Sequence, residues 1–329
     1  MSPTEPTKRV TRSSTQLQAV KVRANTKAKH IPVQTKGTAR IDKHGTKSTG
    51  KARRVAETAP SSKSNTEPKE DHSNDEENDG DDPNPGTSAT TPKNVTIFTV
   101  NSELVKKPII CHEYTPSSTP NQTPLIFTHG AGGTLSAPAV VHFCTGFSSP
   151  SATPILAFQG SMNLGARVKG FHACRAHVRG LEGGADQPLV FGGRSMGARA
   201  AVMAATECLA AMEGAQRERG AKLLLVSYPL QGPKDVRDQI LLDLPKSVDV
   251  LFVVGEKDAM CPLELLQGVR GKMKGRSKVV VVKGADHGMN LRSASWTKEV
   301  GESTGRVAAL WLDGQMEVEG EVVYVGEEE

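Results

Sequence analysis

A serine near the middle of the chain lies in a pattern that is typical of a nucleophile. The pentapeptide Gly193-Arg194-Ser195-Met196-Gly197 matches G-x-S-x-G, with the apolar run PLVFGG before it and the alanine-rich segment ARAAVMAA after it. A sharp turn from strand to helix would expose the hydroxyl, and a side chain at position 193 or 197 would collide with the neighbouring helix or strand. The pattern alone is weak, but this context predicts Ser195 as a nucleophile, with Gly193 and Gly197 supporting the turn.

A nucleophilic serine needs a base, and the base needs an acid that orients it. In proteins that use this turn, the three residues follow one another as serine, acid and histidine. Two later apolar runs end in suitable residues: VDVLFVVGEKD ends at Asp258, and SKVVVVKGADH ends at His287. We predict His287 as the base and Asp258 as the acid.

Other assignments for the acid stay open at this point. Glu256 lies two residues before Asp258, and Asp286 directly precedes His287. We expect the carboxylate of Asp286 to point away from the imidazole Nδ1 atom that it would have to reach. Asp258 could also merely cap the helix that begins near Pro262, because aspartate is a common N-cap residue.

A glycine-rich loop follows the apolar run PLIFT and has the composition of an oxyanion-binding loop. Its residues are His129-Gly130-Ala131-Gly132-Gly133. An oxyanion hole takes one N–H from the residue after the nucleophile and one from this loop. We predict the N–H groups of Met196 and Ala131 as the donors, with Gly132 as the alternative to Ala131. His129, Gly130 and Gly133 then support the loop.

The other histidines give no sign of a metal site. His142, His172 and His177 lie on predicted helices without a carboxylate or cysteine at ligand spacing, and we interpret them as surface or packing residues. Neither glycine-rich segment has the G-x-x-x-x-G-K or G-x-G-x-x-G spacing of a phosphate-binding loop. We therefore predict neither a metal nor another cofactor.

The elements that must position these residues alternate between short apolar runs and helix-length segments. The runs span 94–100, 107–114, 124–130, 154–160, 188–193, 221–230, 248–258 and 277–287, and the helical segments span 136–147, 163–180, 195–212, 262–274 and 293–312. The last six runs are continuously apolar, as in strands buried on both faces of a parallel sheet. Residues 94–313 should therefore form an α/β domain, a doubly wound, mostly parallel sheet of about eight strands with the first two as an antiparallel edge.

Ligands of such sheets bind beyond the carboxyl ends of the strands, where the candidate residues lie. The segment between the sixth and seventh runs, where lids are commonly inserted, is short. We therefore expect a minimal lid and an open, shallow site.

The segments THGAGG, GGRSMGARAA, SYPLQGPK, GEKDAMCP and GADHGM together resemble the α/β-hydrolase-like family that includes testis-expressed protein 30 and the third subunit of the non-specific-lethal chromatin complex. The resemblance runs from about Leu125 to Leu312, and the chain is more broadly similar to dienelactone-hydrolase-like enzymes, which carry no large lid. It implies an α/β-hydrolase fold, with Ser195, Asp258 and His287 at the triad positions. It implies no particular substrate, and some members resemble complex subunits more than enzymes.

The two ends of the chain fall outside this resemblance. Residues 1–54 hold fourteen Lys and Arg residues against two acids, and residues 55–93 hold ten acids against three lysines. Such a segment has too few apolar residues to offset the entropy lost on ordering, so we predict a disordered charged tail over 1–93. Its basic part would contact nucleic acids weakly and without sequence preference, or serve as a nuclear import signal. Residues 314–329 are predicted to be an acidic C-terminal tail.

Cysteine spacing and hydropathy bear on location. The five cysteines are widely spaced, with no C-x-x-C pair, which indicates isolated reduced thiols. No window approaches the roughly 20 apolar residues of a membrane span, and no secretory signal is visible. We expect a cytoplasmic or nuclear protein without membrane contact.

Two functions fit these features. The first is a serine hydrolase that acts on an ester, thioester or related small-molecule acyl substrate through a Ser-His-Asp triad and an acyl-enzyme. The second is a non-catalytic interaction subunit that has protein partners in a nuclear or chromatin complex. The retained triad favours the first, because a scaffold needs none of its three residues, whereas fold alone decides nothing.

Overall fold

The computed structural model describes residues 94–116, 123–149, 153–181, 188–316 and 322–326 of the 329-residue chain. The predicted charged tail, residues 1–93, lies outside the described residues.

Nine strands of the described residues form one sheet in the order β1-β2-β4-β3-β5-β6-β7-β8-β9. β1 pairs antiparallel with β2, β2 pairs antiparallel with β4, and all other neighbours are parallel. This confirms the mostly parallel sheet with an antiparallel edge. The strands are β1 (Val95–Val100), β2 (Ile109–Tyr114), β3 (Leu125–Thr128), β4 (Ile155–Phe158), β5 (Leu189–Arg194), β6 (Ala221–Val226), β7 (Val248–Gly255), β8 (Ser277–Val282) and β9 (Val322–Val325).

Helices cover both faces of the sheet, as predicted for a doubly wound fold. The helices α2, α3 and α6 contribute to the apolar core on one face, and α1 and α7 contribute to the core on the other. Two short helices, α4 and α5, were not predicted, because elements of four or five residues show no apolar period. The helices are α1 (Pro138–Ser148), α2 (Leu164–Arg179), α3 (Met196–Ala210), α4 (Gly214–Glu218), α5 (Gln239–Leu242), α6 (Leu263–Arg270) and α7 (Ala294–Leu312).

Strand β9 corrects the sequence analysis, which placed residues 314–329 in an acidic tail. Val322–Val325 pairs in parallel with β8, and Val323 and Val325 are buried on the same face of the sheet. Glutamates dominate the composition of this segment and obscure a strand of only four residues. The alternation of buried and half-buried positions is the period of a strand at the edge of a sheet.

Candidate active site

Ser195 occupies the turn between β5 and α3. It has φ 50° and ψ −118°, one of three non-glycine residues of the described part with positive φ. A side chain in this region costs about 1 to 3 kcal/mol, so the surrounding structure must hold it there. Its N–H donates to Val226 O at 2.9 Å, which ties the turn to the end of β6.

Two glycines let the backbone close around this turn. A Cβ atom on Gly193 would lie 2.4 Å from the carbonyl carbon of Gly197, and one on Gly197 would lie 2.6 Å from His129 O. Both contacts are with backbone, which has little freedom to move. The spacing G-x-S-x-G is therefore a steric requirement here, as the sequence analysis expected.

The three predicted side chains meet at the carboxyl ends of β5, β7 and β8. His287 Nε2 lies 3.0 Å from Ser195 Oγ, and His287 Nδ1 lies 3.0 Å from each carboxylate oxygen of Asp258. Ser195 and Asp258 are buried, whereas 20% of the His287 side chain is exposed. The ring thus lies between a buried carboxylate and the hydroxyl and keeps part of its surface exposed.

The Asp258 carboxylate also organises its own loop. Its Oδ1 atom accepts from Met260 N–H at 2.9 Å and from Cys261 N–H at 3.2 Å. The capping role considered from the sequence is therefore present together with the contact to His287. Both interactions favour one orientation of the carboxylate, because Oδ1 accepts from the backbone while both oxygens lie 3.0 Å from the imidazole nitrogen.

The competing carboxylates are engaged elsewhere. Glu256 Oε2 accepts from Gly284 N–H at 2.9 Å, and Asp286 Oδ1 accepts from Asn290 N–H at 2.8 Å. Asp286 is part of a local turn, as expected for a carboxylate that points away from the neighbouring ring. Of the three carboxylates considered, Asp258 is the one at hydrogen-bonding distance from His287.

The loop 129–133 lies against the turn that holds Ser195. A Cβ atom on Gly130 would be 3.4 Å from Ser195 Cβ, in van der Waals contact, and 2.9 Å from Arg194 Nη1. Gly132 N–H donates to the sulfur of Met162 at 3.0 Å, which engages the alternative donor. Met196 is the first residue of α3, where an N–H has no partner within the helix. Ala131 and Met196 remain the two predicted donors.

Sequence reasoning missed a buried arginine behind this loop. Arg167, on α2, has no exposed surface, and burial lowers its pKa to about 10. Its Nη1 atom donates to the backbone oxygens of His129 and Gly130, and its Nε atom donates to Ser161 O at 2.9 Å. The only signal in the sequence is an arginine beside apolar Val168, which does not reveal what it contacts.

His129 itself is also buried. Burial, with Arg167 and Arg194 nearby, lowers its pKa to about 4. Its Nε2 atom accepts from Gly160 N–H at 3.0 Å, and Nδ1 lies 2.7 Å from Gly130 O. The imidazole is thus neutral and connects the loop 129–133 to the loop after β4.

Arg194, inside the G-x-S-x-G pattern, was also given no role in the sequence analysis. Its Nη2 atom donates to His287 O at 3.1 Å and so connects the nucleophile turn to the histidine loop. The motif specifies only the glycines and the serine, so it gives no role to the residue at position 194. The position of Arg194 beside the nucleophile was the signal available in the sequence.

The remaining histidines stand apart from this site. His172 contacts two residues of α3, Glu207 at 2.6 Å and Cys208 at 3.5 Å, a contact between helices that spacing along the chain could not reveal. The described residues contain no group of three or more His, Cys, Asp or Glu side chains that could hold a metal. All five cysteines are buried and none forms a disulfide bond. None of the helices in the described ranges is long and apolar enough to cross a membrane.

Comparison with known proteins identifies the family. The model of the family described as "Alpha/beta hydrolase domain" matches residues 121–316. The dienelactone hydrolase of Anabaena variabilis superposes with a TM-score of 0.51 at 12% identity, covering 67% of this chain and 98% of that one. An alpha-beta serine hydrolase homologue from Coxiella burnetii gives 0.49 at 17% identity, covering 64% of this chain and 96% of that one. Because the family match spans more than half of its length, this chain belongs to the alpha/beta hydrolase domain family.

Proposed function

We propose that the protein is a serine hydrolase that acts on an ester, thioester or related small-molecule acyl compound. One observation carries the proposal: hydrogen-bonding distances run without a break from Asp258 through His287 to Ser195. A serine on a strained turn, with a histidine and a buried carboxylate in line, is the arrangement that acyl transfer requires.

The proposed reaction begins at Ser195. Its Oγ atom attacks the acyl carbon while His287 Nε2 takes the hydroxyl proton, and Asp258 stabilises the imidazolium that forms. The oxyanion is held by the N–H groups of Met196 and Ala131. Collapse of the tetrahedral intermediate breaks the bond to the leaving group, which receives the proton from His287. Water, activated by the same imidazole, then releases the acid and restores Ser195.

The segments around Ser195 favour an open site that accepts a small-molecule acyl compound. The segment 227–247 between β6 and β7 contains one short helix, α5 (Gln239–Leu242), and an isolated bridge between Gln231 and Val236. Met162 is 62% exposed beside the loop 129–133 and offers an apolar surface at the rim. A thioether there would contact an acyl chain without placing a charge near it.

A narrower kinship also belongs to this proposal. The segments GGRSMG and SYPL favour the branch that includes testis-expressed protein 30 and the third subunit of the non-specific-lethal chromatin complex. We expect a cytoplasmic or nuclear location on that basis. Expression of a reporter fused to residues 1–60 would test nuclear import, and a purely cytosolic signal would contradict it.

A fluorophosphonate probe tests the proposed chemistry. Wild-type protein should become labelled and Ser195→Ala should not, and either Ser195→Ala or His287→Ala should lower the rate of ester hydrolysis by about 10⁶. Ser227→Ala is a matched control, because Ser227 is also buried and also has positive φ but lies after β6. Folded wild-type protein that resists the probe would overturn the hydrolase and favour the interaction subunit. If the wild-type protein is labelled, a panel of acyl esters of graded chain length would define the substrate.

A further inference from the structure

The Gly130–Ala131 peptide has its carbonyl oxygen held from two sides. His129 Nδ1 lies 2.7 Å from Gly130 O, and Arg167 Nη1 lies 3.2 Å from the same oxygen. In a trans peptide, the N–H points opposite to the C=O. Groups that fix the Gly130 oxygen therefore also fix the direction of the Ala131 N–H.

The hydrogen bonds of His129 define which nitrogen carries its proton. Gly160 N–H can only donate, so Nε2 must be the acceptor of that 3.0 Å contact. The neutral ring therefore has its proton on Nδ1 and donates to Gly130 O. His129 acts on the peptide as a neutral donor.

Arg167 adds a buried positive charge to the same oxygen. Its hydrogen-bond acceptors are the backbone oxygens of Ser161, His129 and Gly130, and no carboxylate of the described residues pairs with it. Its pKa of about 10 leaves it charged at neutral pH. A cation that donates to a carbonyl oxygen polarises the peptide and makes its N–H a stronger donor, and the effect is larger away from water.

The backbone is shaped around this arginine. A Cβ atom on Gly160 would lie 2.7 Å from Arg167 Nε and 2.8 Å from Thr128 Oγ1. The loop after β4 therefore needs a glycine where it passes the guanidinium, and the N–H of that glycine fixes the His129 ring. Gly160, His129 and Arg167 form one connected support, which we call the peptide clamp.

We infer that His129 and Arg167 are positioning residues that aim and polarise the Ala131 N–H toward the oxyanion formed at Ser195. This inference rests on the proposed function. It adds a specific role for a buried charge that makes no contact with the triad: Arg167 acts through the Gly130–Ala131 peptide.

The test compares rate constants for fluorophosphonate labelling, because the phosphoryl oxygen occupies the same oxyanion site. Arg167→Met should slow the labelling step by about ten- to a hundredfold, up to the loss seen on removing an oxyanion donor. Arg167→Lys should retain part of the labelling rate, because lysine keeps the positive charge but cannot donate from two nitrogens as the guanidinium does. Arg175→Met is the matched control: Arg175 is on the same helix and contacts Cys208 instead.

Two readouts separate positioning from loss of structure. Misfolding lowers the fraction of protein that is labelled, whereas a weaker oxyanion donor lowers the rate constant of the fraction that reacts. The pH midpoint of labelling, which reports the base, should stay unchanged in Arg167→Met while the plateau falls. Binding of a trifluoromethyl ketone should weaken by a similar factor.

The outcomes are distinct. Wild-type protein that is folded but unlabelled overturns the proposed function. Labelled wild type together with a folded Arg167→Met of equal rate constant overturns the peptide clamp alone. If Arg167→Met does not fold, Gly160→Ala decides, since its Cβ atom would displace the guanidinium without touching the triad: a slower rate supports the inference, and an unchanged rate overturns it.

Discussion

His287 Nε2 lies 3.0 Å from Ser195 Oγ, although the two residues are 92 positions apart in the chain. The sheet explains this closeness. Ser195 follows β5 and His287 follows β8, and the parallel strands β6 and β7 lie between them. Asp258, which follows β7, completes the set from the middle of that edge. Parallel strands bring their carboxyl ends to one rim, so distant segments can supply adjacent side chains.

Replacement of the acid tests whether the contact between Asp258 and His287 matters for the reaction. Asp258→Asn keeps the shape but removes the charge that stabilises the imidazolium, and the rate of ester hydrolysis should fall by roughly 10⁴. Glu256→Gln is the matched control and should retain the wild-type rate, because Glu256 contacts Gly284 and not the ring. Equal losses in both variants would contradict the assignment of the acid.

The strained backbone at Ser195 predicts a gain of stability when the side chain is removed altogether. At φ 50°, a Cβ atom is unfavourable and glycine is not. Ser195→Gly should therefore be more stable than Ser195→Ala by about 1 kcal/mol, after part of the relief is offset by the greater entropy of unfolded glycine. Urea unfolding of the two inactive variants measures the difference. A less stable glycine variant would mean that the turn holds no strain.

The sequence predicts the parts of the site that depend on strand ends. Ser195, Asp258 and His287 each follow a continuously apolar run, and the carboxyl ends of parallel strands lie at one edge of the sheet. The antiparallel edge formed by the first two runs was also predicted, whereas the order of the strands in the sheet was not. Strand β9 is missed because four residues among glutamates give too short a pattern.

The peptide clamp could not be predicted, for a different reason. Arg167 donates to backbone oxygens 37 and 38 positions away, and backbone oxygens are the same at every residue. Nothing in the side-chain sequence of the loop 129–133 marks it as the acceptor of a buried arginine. Side-chain pairs can be guessed from complementary types, whereas contacts with backbone depend on where the chain passes.

Two helical glycines give opposite predictions for the same substitution. In an open helix, Gly→Ala stabilises by about 1 kcal/mol, and a Cβ atom on Gly268 of α6 meets nothing within 4 Å. On Gly197 of α3, the same atom would lie 2.6 Å from His129 O and 2.7 Å from Thr128 O. Gly197→Ala should therefore lose about 1 to 3 kcal/mol, as overpacked sites do, and should slow fluorophosphonate labelling.

Urea unfolding of both variants checks this pair. A stabilised Gly268→Ala beside a destabilised Gly197→Ala is the expected result. A stable Gly197→Ala that is labelled at the wild-type rate would show that α3 can shift away from the loop 129–133, and would remove the steric explanation for the motif.

The low pKa of His129 predicts a loss of stability in mild acid. The folded protein keeps this ring neutral down to about pH 4, whereas an unfolded histidine binds a proton below its ordinary value of 6.5. Between these values the unfolded state binds more protons, so stability rises with pH and is lost as the pH falls from about 6.5 to 4. At about 1.4 kcal/mol per pKa unit, His129 accounts for about 3 kcal/mol of that loss.

Urea unfolding of wild type and His129→Gln between pH 4 and 7 isolates this contribution, because the carboxylates titrate in both proteins. The variant should be less stable at pH 7, where it lacks the buried ring, but its stability should fall less steeply on acidification. His112→Gln is the comparison: His112 lies half-buried on β2 and burial alone lowers its pKa, so its removal should flatten the slope less than the removal of His129 does. A wild-type slope in His129→Gln would mean that the folded ring binds protons over the same pH range as an unfolded histidine, which would contradict a neutral ring held between Gly160 N–H and Gly130 O.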